Sequence, residues 1–244
     1  HVAPLSWQLI NASVIAATLR CPVASDMRAG DLASGGHGAP ITPLADWILF
    51  RSSANRAIVN LGGFCNITWL PSDTVEGVTG RDVCVCNQLL DAAARMTLGT
   101  PYDHDGQHAA QGTPDPTLVA SLGSALKHSP AERSLGSGDE SFTWLEQTCT
   151  KDTEPHVLLA SIAVAIGEHI GKAAAAAGAA DIVVAGGGAH HAPLVAAIEA
   201  ASELPLMLSS DLGIPIEARE AACIAILAAL DQDDVPITIP GVTG

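Results

Sequence analysis

Asp82 follows Gly80-Arg81 at the end of a β-type run and stands just before a helix signal. A carboxylate so placed can deprotonate a hydroxyl or position a water; local sequence fits a turn or capping aspartate equally well. Four glycine-bearing turns give it company: Gly35-Gly36-His37-Gly38, Asn60-Leu61-Gly62-Gly63, Gly80-Arg81-Asp82 and Gly186-Gly187-Gly188. Two of them directly follow apolar runs, Ala57-Ile58-Val59-Asn60-Leu61 and Asp181-Ile182-Val183-Val184-Ala185. Glycine lets backbone N–H groups approach an anion closely and adopt positive φ, and successive N–H groups form anion-binding concavities. Several such turns beside one strand-end aspartate suggest a cleft for nucleotide phosphates.

Other residues extend the set. Asn60, Gly62, Gly63 and Asn66 form a candidate phosphate turn, because a plain hairpin needs only one turn glycine. Gly186, Gly187 and Gly188 suit an anion or adenosine at close range, where a bare strand-to-helix turn would need one glycine. Arg28 can fork onto a carboxylate or pair with Asp26 or Asp31. Glu220, flanked by alanines, points either into a cleft or to solvent.

These residues need a frame, and the sequence supplies an alternating one. Helices are expected over 7–19, 43–50, 88–98, 116–126, 156–177, 192–201 and 215–230, with Asn87 capping the helix that starts at 88. Strands are expected over 22–25, 57–61, 67–70, within 75–85, over 181–185 and over 205–208. Gly62-Gly63 joins 57–61 and 67–70 as a hairpin. Residues 100–114 read as a polar loop, 129–141 as a mobile Gly/Ser loop and 235–244 as an extended tail. The fold class is α/β, a sheet with helices on its faces and ligands at the carboxyl ends of strands.

Bulk properties narrow the function classes. The chain has 244 residues, 48% of them apolar and 15% charged, which suits a compact fold with a substantial core. A net charge of −15 repels nucleic acid and anionic membranes but leaves a local N–H nest free to bind ATP with Mg²⁺. Cysteines at 21, 65, 84, 86, 149 and 223 include one C-x-C and no C-x-x-C, so no zinc site is expected and reduced thiols fit a cytoplasmic setting. Adjacent His190 and His191 read as a loop pair, since neighbouring residues rarely face one ion. No run of about 18 apolar residues lacks glycine or charge, so no membrane span is expected. The start at His1 has no signal-peptide pattern and no initiator methionine, which reads as a processed or truncated piece.

At these residues the chain resembles the anhydro-N-acetylmuramic acid kinases, members of the sugar kinase, Hsp70 and actin superfamily. The matching segments are Asp26-Met27-Arg28-Ala29-Gly30-Asp31-Leu32-Ala33-Ser34-Gly35-Gly36-His37-Gly38-Ala39-Pro40, Asn60-Leu61-Gly62-Gly63-Phe64-Cys65-Asn66-Ile67-Thr68, and Asp82 with Asn87 and Asp91. Tyr102-Asp103-His104-Asp105-Gly106, Ser134-Leu135-Gly136, Gly186-Gly187-Gly188-Ala189, Glu220-Ala221 and Pro240-Gly241-Val242-Thr243-Gly244 follow in the family's order. The resemblance implies an actin-like (ribonuclease H-like) ATPase lobe over 56–244, a mixed sheet flanked by helices, with 1–55 as the remnant of a first lobe and its interdomain helix. It implies a kinase that uses ATP and Mg²⁺ to open and phosphorylate 1,6-anhydro-N-acetylmuramic acid in peptidoglycan recycling. Asp82 would activate the attacking water. Asn60, Gly62, Gly63 and Asn66 would hold phosphate, and Gly186–Gly188 adenosine and phosphate. Arg28, Gly36, Gly38, Asn87 and Glu220 would form the sugar side. The expected partner is a small amino sugar, with neither nucleic acid nor membrane, and the family's assembly is often a homodimer.

The sequence also departs from the family's pattern. No glycine/serine/threonine/aspartate hairpin for the β,γ-phosphates is present, Cys84-Val85-Cys86 stands for Gly-Pro-Gly, His191 for an asparagine and Arg133 for a lysine. Three readings stay open: an active anhydro-sugar kinase, a non-catalytic pseudokinase relative, and a kinase for another anhydro-sugar such as levoglucosan.

Overall fold

A computed structural model describes residues 8–127, 140–150 and 152–243. The segment Ser134-Leu135-Gly136, Arg133 and most of the expected Gly/Ser loop lie outside the described residues. Three helices come first: α1 (Ala12–Leu19), α2 (Ala29–Ala33) and α3 (Pro43–Phe50). The strands β1 (Arg56–Leu61), β2 (Phe64–Leu70) and β3 (Thr79–Val85) follow, and then α4 (Asn87–Thr97), α5 (Pro116–Lys127), α6 (Glu140–Thr148) and α7 (Pro155–Ala175). β4 (Asp181–Ala185), α8 (Ala192–Ser202), β5 (Leu206–Leu208), α9 (Arg219–Gln232) and α10 (Pro240–Thr243) complete the chain.

The five strands form one mixed sheet in the order β3-β2-β1-β4-β5. β1, β2 and β3 are an antiparallel meander, while β4 and β5 run parallel to β1. The Gly62-Gly63 corner makes β1 and β2 the hairpin expected from the sequence. Period-2 alternation sorts β1 between the two faces. Ala57, Val59 and Leu61 join the large core beneath α7, and Ile58 joins Phe50 of α3 on the other face.

α7 is the central helix of the large core. It meets α8 through glycines: a Cβ on Gly171 would stand 2.6 Å from the Ile198 carbonyl, and one on Gly167 would collide with the Ala197 methyl. The alanine-rich composition thus does what it promised, letting two helices approach until backbone meets backbone. α7 is also the one described helix long and apolar enough to cross a membrane, and 67% of its apolar window is buried inside the protein.

Four sequence expectations give way. Residues 22–25 form no strand. The tail is not extended throughout, because Pro240 opens α10 at an N1 position that needs no donor. A 3-10 turn, Ile216–Ala218, precedes α9 after Pro215. Asn87 is not a cap: Cys86 is the N-cap of α4, and the Asn87 amide is spent elsewhere.

Candidate functional site

Asp82 does not end its strand. It lies three residues before the end of β3, because a bulge between Cys65 and Asn66 lets pairing continue from Asn66–Asp82 to Cys65–Cys84 and Phe64–Val85. The register then makes a row: Asp82 opposes Asn66, Asn66 opposes Asn60, and Asn60 pairs with Ala185. Directly opposed residues share a face, with Cβ atoms about 4.5–5.5 Å apart. Asp82, Asn66 and Asn60 therefore line one face across three strands, and Ala185 leads into the glycine turn. This is the face carrying Ile58 and α3. Asp82 is half-buried.

The glycine turn links the two faces of the sheet at the carboxyl ends of β1 and β4. Gly186 has φ +85°, and a Cβ there would lie 2.8 Å from both Asn60 Oδ1 and the Leu61 carbonyl. A Cβ on Gly188 would sit 2.6 Å from Asn87 Oδ1 and 2.8 Å from Leu61 Cβ, on the α7 side. Gly187 is the open corner between them, where a Cβ would meet nothing closer than Asn87 Nδ2 at 4.0 Å. A 3-10 turn, Gly187–His190, takes in the last two glycines and comes before α8, so the glycines do not enter that helix directly.

Gly186→Ala is accordingly expected to destabilise the protein by about 2–4 kcal/mol, combining a left-handed φ with backbone collision. Urea titration checks it. Gly187→Ala, with space on every side, should cost less than about 1 kcal/mol.

Gly62 and Gly63 are pinned by α4. The Gly63 carbonyl accepts from the N–H of Cys86 (2.9 Å) and of Gln88 (3.2 Å), and the Gly62 carbonyl from the N–H of Asn87 (3.1 Å). The first donors of α4 are thereby satisfied by the hairpin rather than left for an anion. The Asn87 side chain donates to the Leu61 carbonyl at 3.0 Å, fastening α4 to the end of β1.

Cys84, Val85 and Cys86 do not reach out to crowd a substrate. All three are fully buried, and Cys84 pairs across the sheet with Cys65. Burial pushes the Cys86 thiol up to about 12, and it pushes Cys65 well above the ordinary thiol range, helped by Cys84, Cys86 and the Asp82 charge. These are inert core thiols.

Asn87, Gly187 and Gly188 share a cleft of about 350 Å³ with Asp91, Tyr102, Asp103, His104, Asp105, His190 and His191. A larger groove of about 650 Å³ lies between α5 and α7, lined by Val119, Gly123, Ala165 and Lys172, and none of the candidate site residues border it. Burial raises the Asp91 carboxyl above its usual range, partly offset by Arg95. His190 pairs with Glu217 at 2.5 Å. Among the described residues no three histidines, cysteines or carboxylates are grouped to hold a metal.

The cleft and the Asp82 row stand on opposite sides of the glycine turn. The sequence suggested one hollow for all the candidates; among the described residues Asn87, Gly187 and Gly188 come together in the cleft, while Asp82, Asn66 and Asn60 align along the sheet face beyond it. Sequence reading took His191 for half of a loop pair, and it lines this cleft. Its Nδ1 accepts the Leu194 N–H at 3.3 Å, making it the cap of α8. The signal was present in His191-Ala192-Pro193, a cap followed by proline in the first turn.

Of the sugar-side candidates, Arg28, Gly36 and Gly38 form a module of their own, while Asn87 lines the cleft. Arg28 pairs with neither Asp26 nor Asp31; its guanidinium donates to the Gly38 carbonyl. Asp31 accepts from the Gly38 N–H (2.7 Å) and the Thr243 hydroxyl (2.6 Å), and its carboxylate fills the space a Cβ on Gly36 would need. Pro40 and Pro43 then pack on Gly80 of β3, two residues from Asp82 and on the same face. This loop therefore flanks the Asp82 row. Glu220 is exposed on the first turn of α9 and does not line the cleft; the buried charge of that turn is Arg219.

The family model described as anhydro-N-acetylmuramic acid kinase matches residues 1–244. The chain belongs to the anhydro-N-acetylmuramic acid kinase family. It is 33% identical over 251 residues to the anhydro-N-acetylmuramic acid kinase of Salinibacter ruber, covering 97% of this chain and 63% of that protein. It is 34% identical to that of Chromohalobacter salexigens, covering 98% and 67%, and 31% identical to that of Coxiella burnetii, covering 99% and 66%. The chain thus spans about two thirds of these relatives, and less than that of the first. Among solved structures it resembles the activator of 2-hydroxyisocaproyl-CoA dehydratase from Clostridium difficile with bound ADPNP, at a TM-score of 0.53 and 15% identity over 80% of this chain and 69% of that one. The fold is that of the actin-like ATPases, a mixed sheet flanked by helices. The family is one of kinases, whose chemistry is phosphoryl transfer.

His191 gives this cleft a pH response. Burial lowers its pKa, with Asp103 and then Asp105 acting in the opposite direction. An unfolded histidine titrates near 6.5. Below that pH the unfolded chain takes up a proton that the folded chain refuses, so stability falls as the medium is acidified, until the folded histidine is protonated at its lower pKa. Melting temperatures from pH 7.5 to 5 should therefore drop more steeply for this protein than for His191→Asn.

Proposed function

We propose that the chain forms the nucleotide-binding second lobe, residues 56–244, of an ATP-dependent kinase for 1,6-anhydro-N-acetylmuramic acid, with residues 1–55 belonging to the first lobe. The observation that carries this reading is the row Asp82–Asn66–Asn60, which runs across three strands to the open glycine corner at Gly187. A carboxylate for the acceptor and an amide-lined approach to phosphates meet there on one sheet face.

The open corner fits a nucleotide, because the space at Gly187 would be lost to any larger side chain. The cleft beyond it carries Asp91, Asp103 and Asp105, a wall that repels phosphates and accepts hydroxyl protons. The nucleoside end therefore enters the cleft and the phosphates turn toward Asn60. Mg²⁺ has no protein cage among the described residues, in keeping with an ion carried on the phosphates and largely hydrated. It supplies neutralisation of charge on the transferring phosphoryl group.

On the other side, Asp82 accepts a proton from water as the water oxygen bonds to the anomeric carbon. The bond from that carbon to O6 breaks, and O6 takes the γ-phosphoryl group of ATP as ADP leaves. The loop clasped by Asp31, Gly38 and Thr243 walls this side for the sugar. Burial of Cys84, Val85 and Cys86 favours the active reading over a pseudokinase, since these side chains leave the substrate face clear.

Isothermal titration with Mg-ADP and Mg-ATP tests the nucleotide half, with saturable binding expected and absence of heat removing it. A phosphorylation assay of the protein with a complete N-terminal lobe, offering 1,6-anhydro-N-acetylmuramic acid beside levoglucosan, tests the sugar. Turnover of levoglucosan alone would reassign the substrate.

A further inference from the structure

Two turns wall the cleft, and one histidine stands at the seam between them. The first is the glycine turn that ends in His191. The second is the turn Tyr102–Gly106, anchored by Asp103, whose carboxylate accepts from the backbone N–H of His108 (2.9 Å) and of Ala109 (2.8 Å). The His191 ring packs where a Cβ on Gly106 would be, 2.8 Å from its Nδ1 and Cε1, and Gly106 holds φ +69° there. The two walls are in contact through this ring.

The hydrogen bonds of the ring fix its tautomer. Nδ1 accepts the Leu194 N–H, so a neutral imidazole carries its proton on Nε2. That Nε2–H is buried and makes no hydrogen bond, in a side chain only 7% exposed. Its nearest charged neighbour is Asp103 Oδ2, at 4.0 Å. This is about 1 Å beyond hydrogen-bond reach. A buried donor standing across such a gap from a buried carboxylate is a bond left open.

We propose that His191 is a positioning residue of the cleft: when a nucleoside fills it, the Tyr102–Gly106 turn moves onto the glycine turn and His191 Nε2–H donates to Asp103 Oδ2. The bond then holds the two walls around the ligand without His191 touching the reacting atoms. The inference rests on the nucleotide reading of this cleft, and it adds which contact closes the walls. Gly106 permits the movement, because no side chain stands between the ring and the turn. Asp103 keeps its own backbone contacts throughout, since Oδ2 has a second lone pair to offer.

The test pairs a variant with a spectrum. His191→Asn keeps a side-chain oxygen to cap α8 but is too short to span to Asp103. It is expected to melt close to the parent protein and to bind Mg-ADP about tenfold more weakly, the worth of one hydrogen bond near 1.4 kcal/mol. Long-range ¹H–¹⁵N spectra of the unaltered protein read the ring directly. The His191 signals should report the Nε2–H tautomer without ligand, and Mg-ADP should move the Nε2 proton downfield and slow its exchange. Unchanged affinity in the variant, with an Nε2–H signal unmoved at saturating Mg-ADP, overturns the closure and leaves nucleotide binding standing. Absence of Mg-ADP binding to the unaltered protein overturns both. Should the variant not fold, the spectrum of the unaltered protein decides alone.

Discussion

Asp82→Asn is expected to lower phosphoryl transfer by about 10²–10⁴-fold, the usual contribution of a positioned general base, while Mg-ADP affinity stays within about a factor of two. The substitution is nearly isosteric, so it removes basicity and leaves the β3 ladder in place. Asp82 sits in the middle of a paired strand, opposite Asn66, and its backbone position is set by six register pairs between β2 and β3. The nucleoside cleft lies across the glycine turn and none of its walls includes Asp82. Binding and turnover should therefore separate. The measurements are single-turnover phosphorylation of the anhydro-sugar and calorimetry with Mg-ADP, on the protein carrying its complete N-terminal lobe. A variant that turns over at the parent rate would take the base role away from Asp82. A variant that loses Mg-ADP binding as well would show the carboxylate to be part of the nucleotide site instead.

How far the sequence carried this site depends on the range of the interactions. The hairpin at Gly62-Gly63, the strand 181–185 and the triple glycine were legible because each is a local pattern: alternation or an apolar run, then a glycine that only a turn explains. The position of Asp82 within β3 was not, since a bulge at Cys65/Asn66 is a property of two strands together. The cap of α4 was misread for a similar reason. Asn87 is a good capping residue by type, but the Gly62 and Gly63 carbonyls already serve the first N–H groups of that helix. Cys84-Val85-Cys86 is only a departure from Gly-Pro-Gly when read along the chain and becomes core once β3 is laid beside β2.

Glu220 and Arg219 show the limit most clearly. A glutamate among alanines drew attention, yet one residue is 100° around a helix. The stripe Arg219, Cys223, Leu227, spaced by four, is the buried face of α9, and Glu220 falls outside it. Asp46 lies in α3, 173 residues away in sequence from the guanidinium it meets. Only the fold brings them together.

That pair carries the second large expectation, a loss of about 3–5 kcal/mol on Asp46→Ala. Asp46 is fully buried and Arg219 is 1% exposed. Arg219 Nε donates to Asp46 Oδ1 at 2.9 Å and its Nη2 to Oδ2, while Thr68 of β2 donates to the same carboxylate at 3.0 Å. Burial alone would lower the Arg219 pKa; the Asp46 charge and hydrogen bond, together with Cys223 and Glu220, outweigh it, so the net shift is upward. Removing Asp46 leaves a buried guanidinium whose remaining side-chain acceptor among the described residues is the Thr42 hydroxyl, at 3.3 Å. For a chain of this size the loss should appear as a fall of roughly 6–20 °C in melting temperature. The double variant Asp46→Leu with Arg219→Met removes both charges and should recover most of the deficit, as apolar replacement of buried pairs does elsewhere. Urea midpoints for the two singles and the double close the cycle. A deficit under about 1 kcal/mol for Asp46→Ala would mean that water reaches the guanidinium and that the pair is not the anchor of this face. The anchor matters for function because Thr68 and Asn66 occupy the same face of β2, two residues apart: the buried pair fastens α3 and α9 to the strand whose next inward residue completes the row with Asp82.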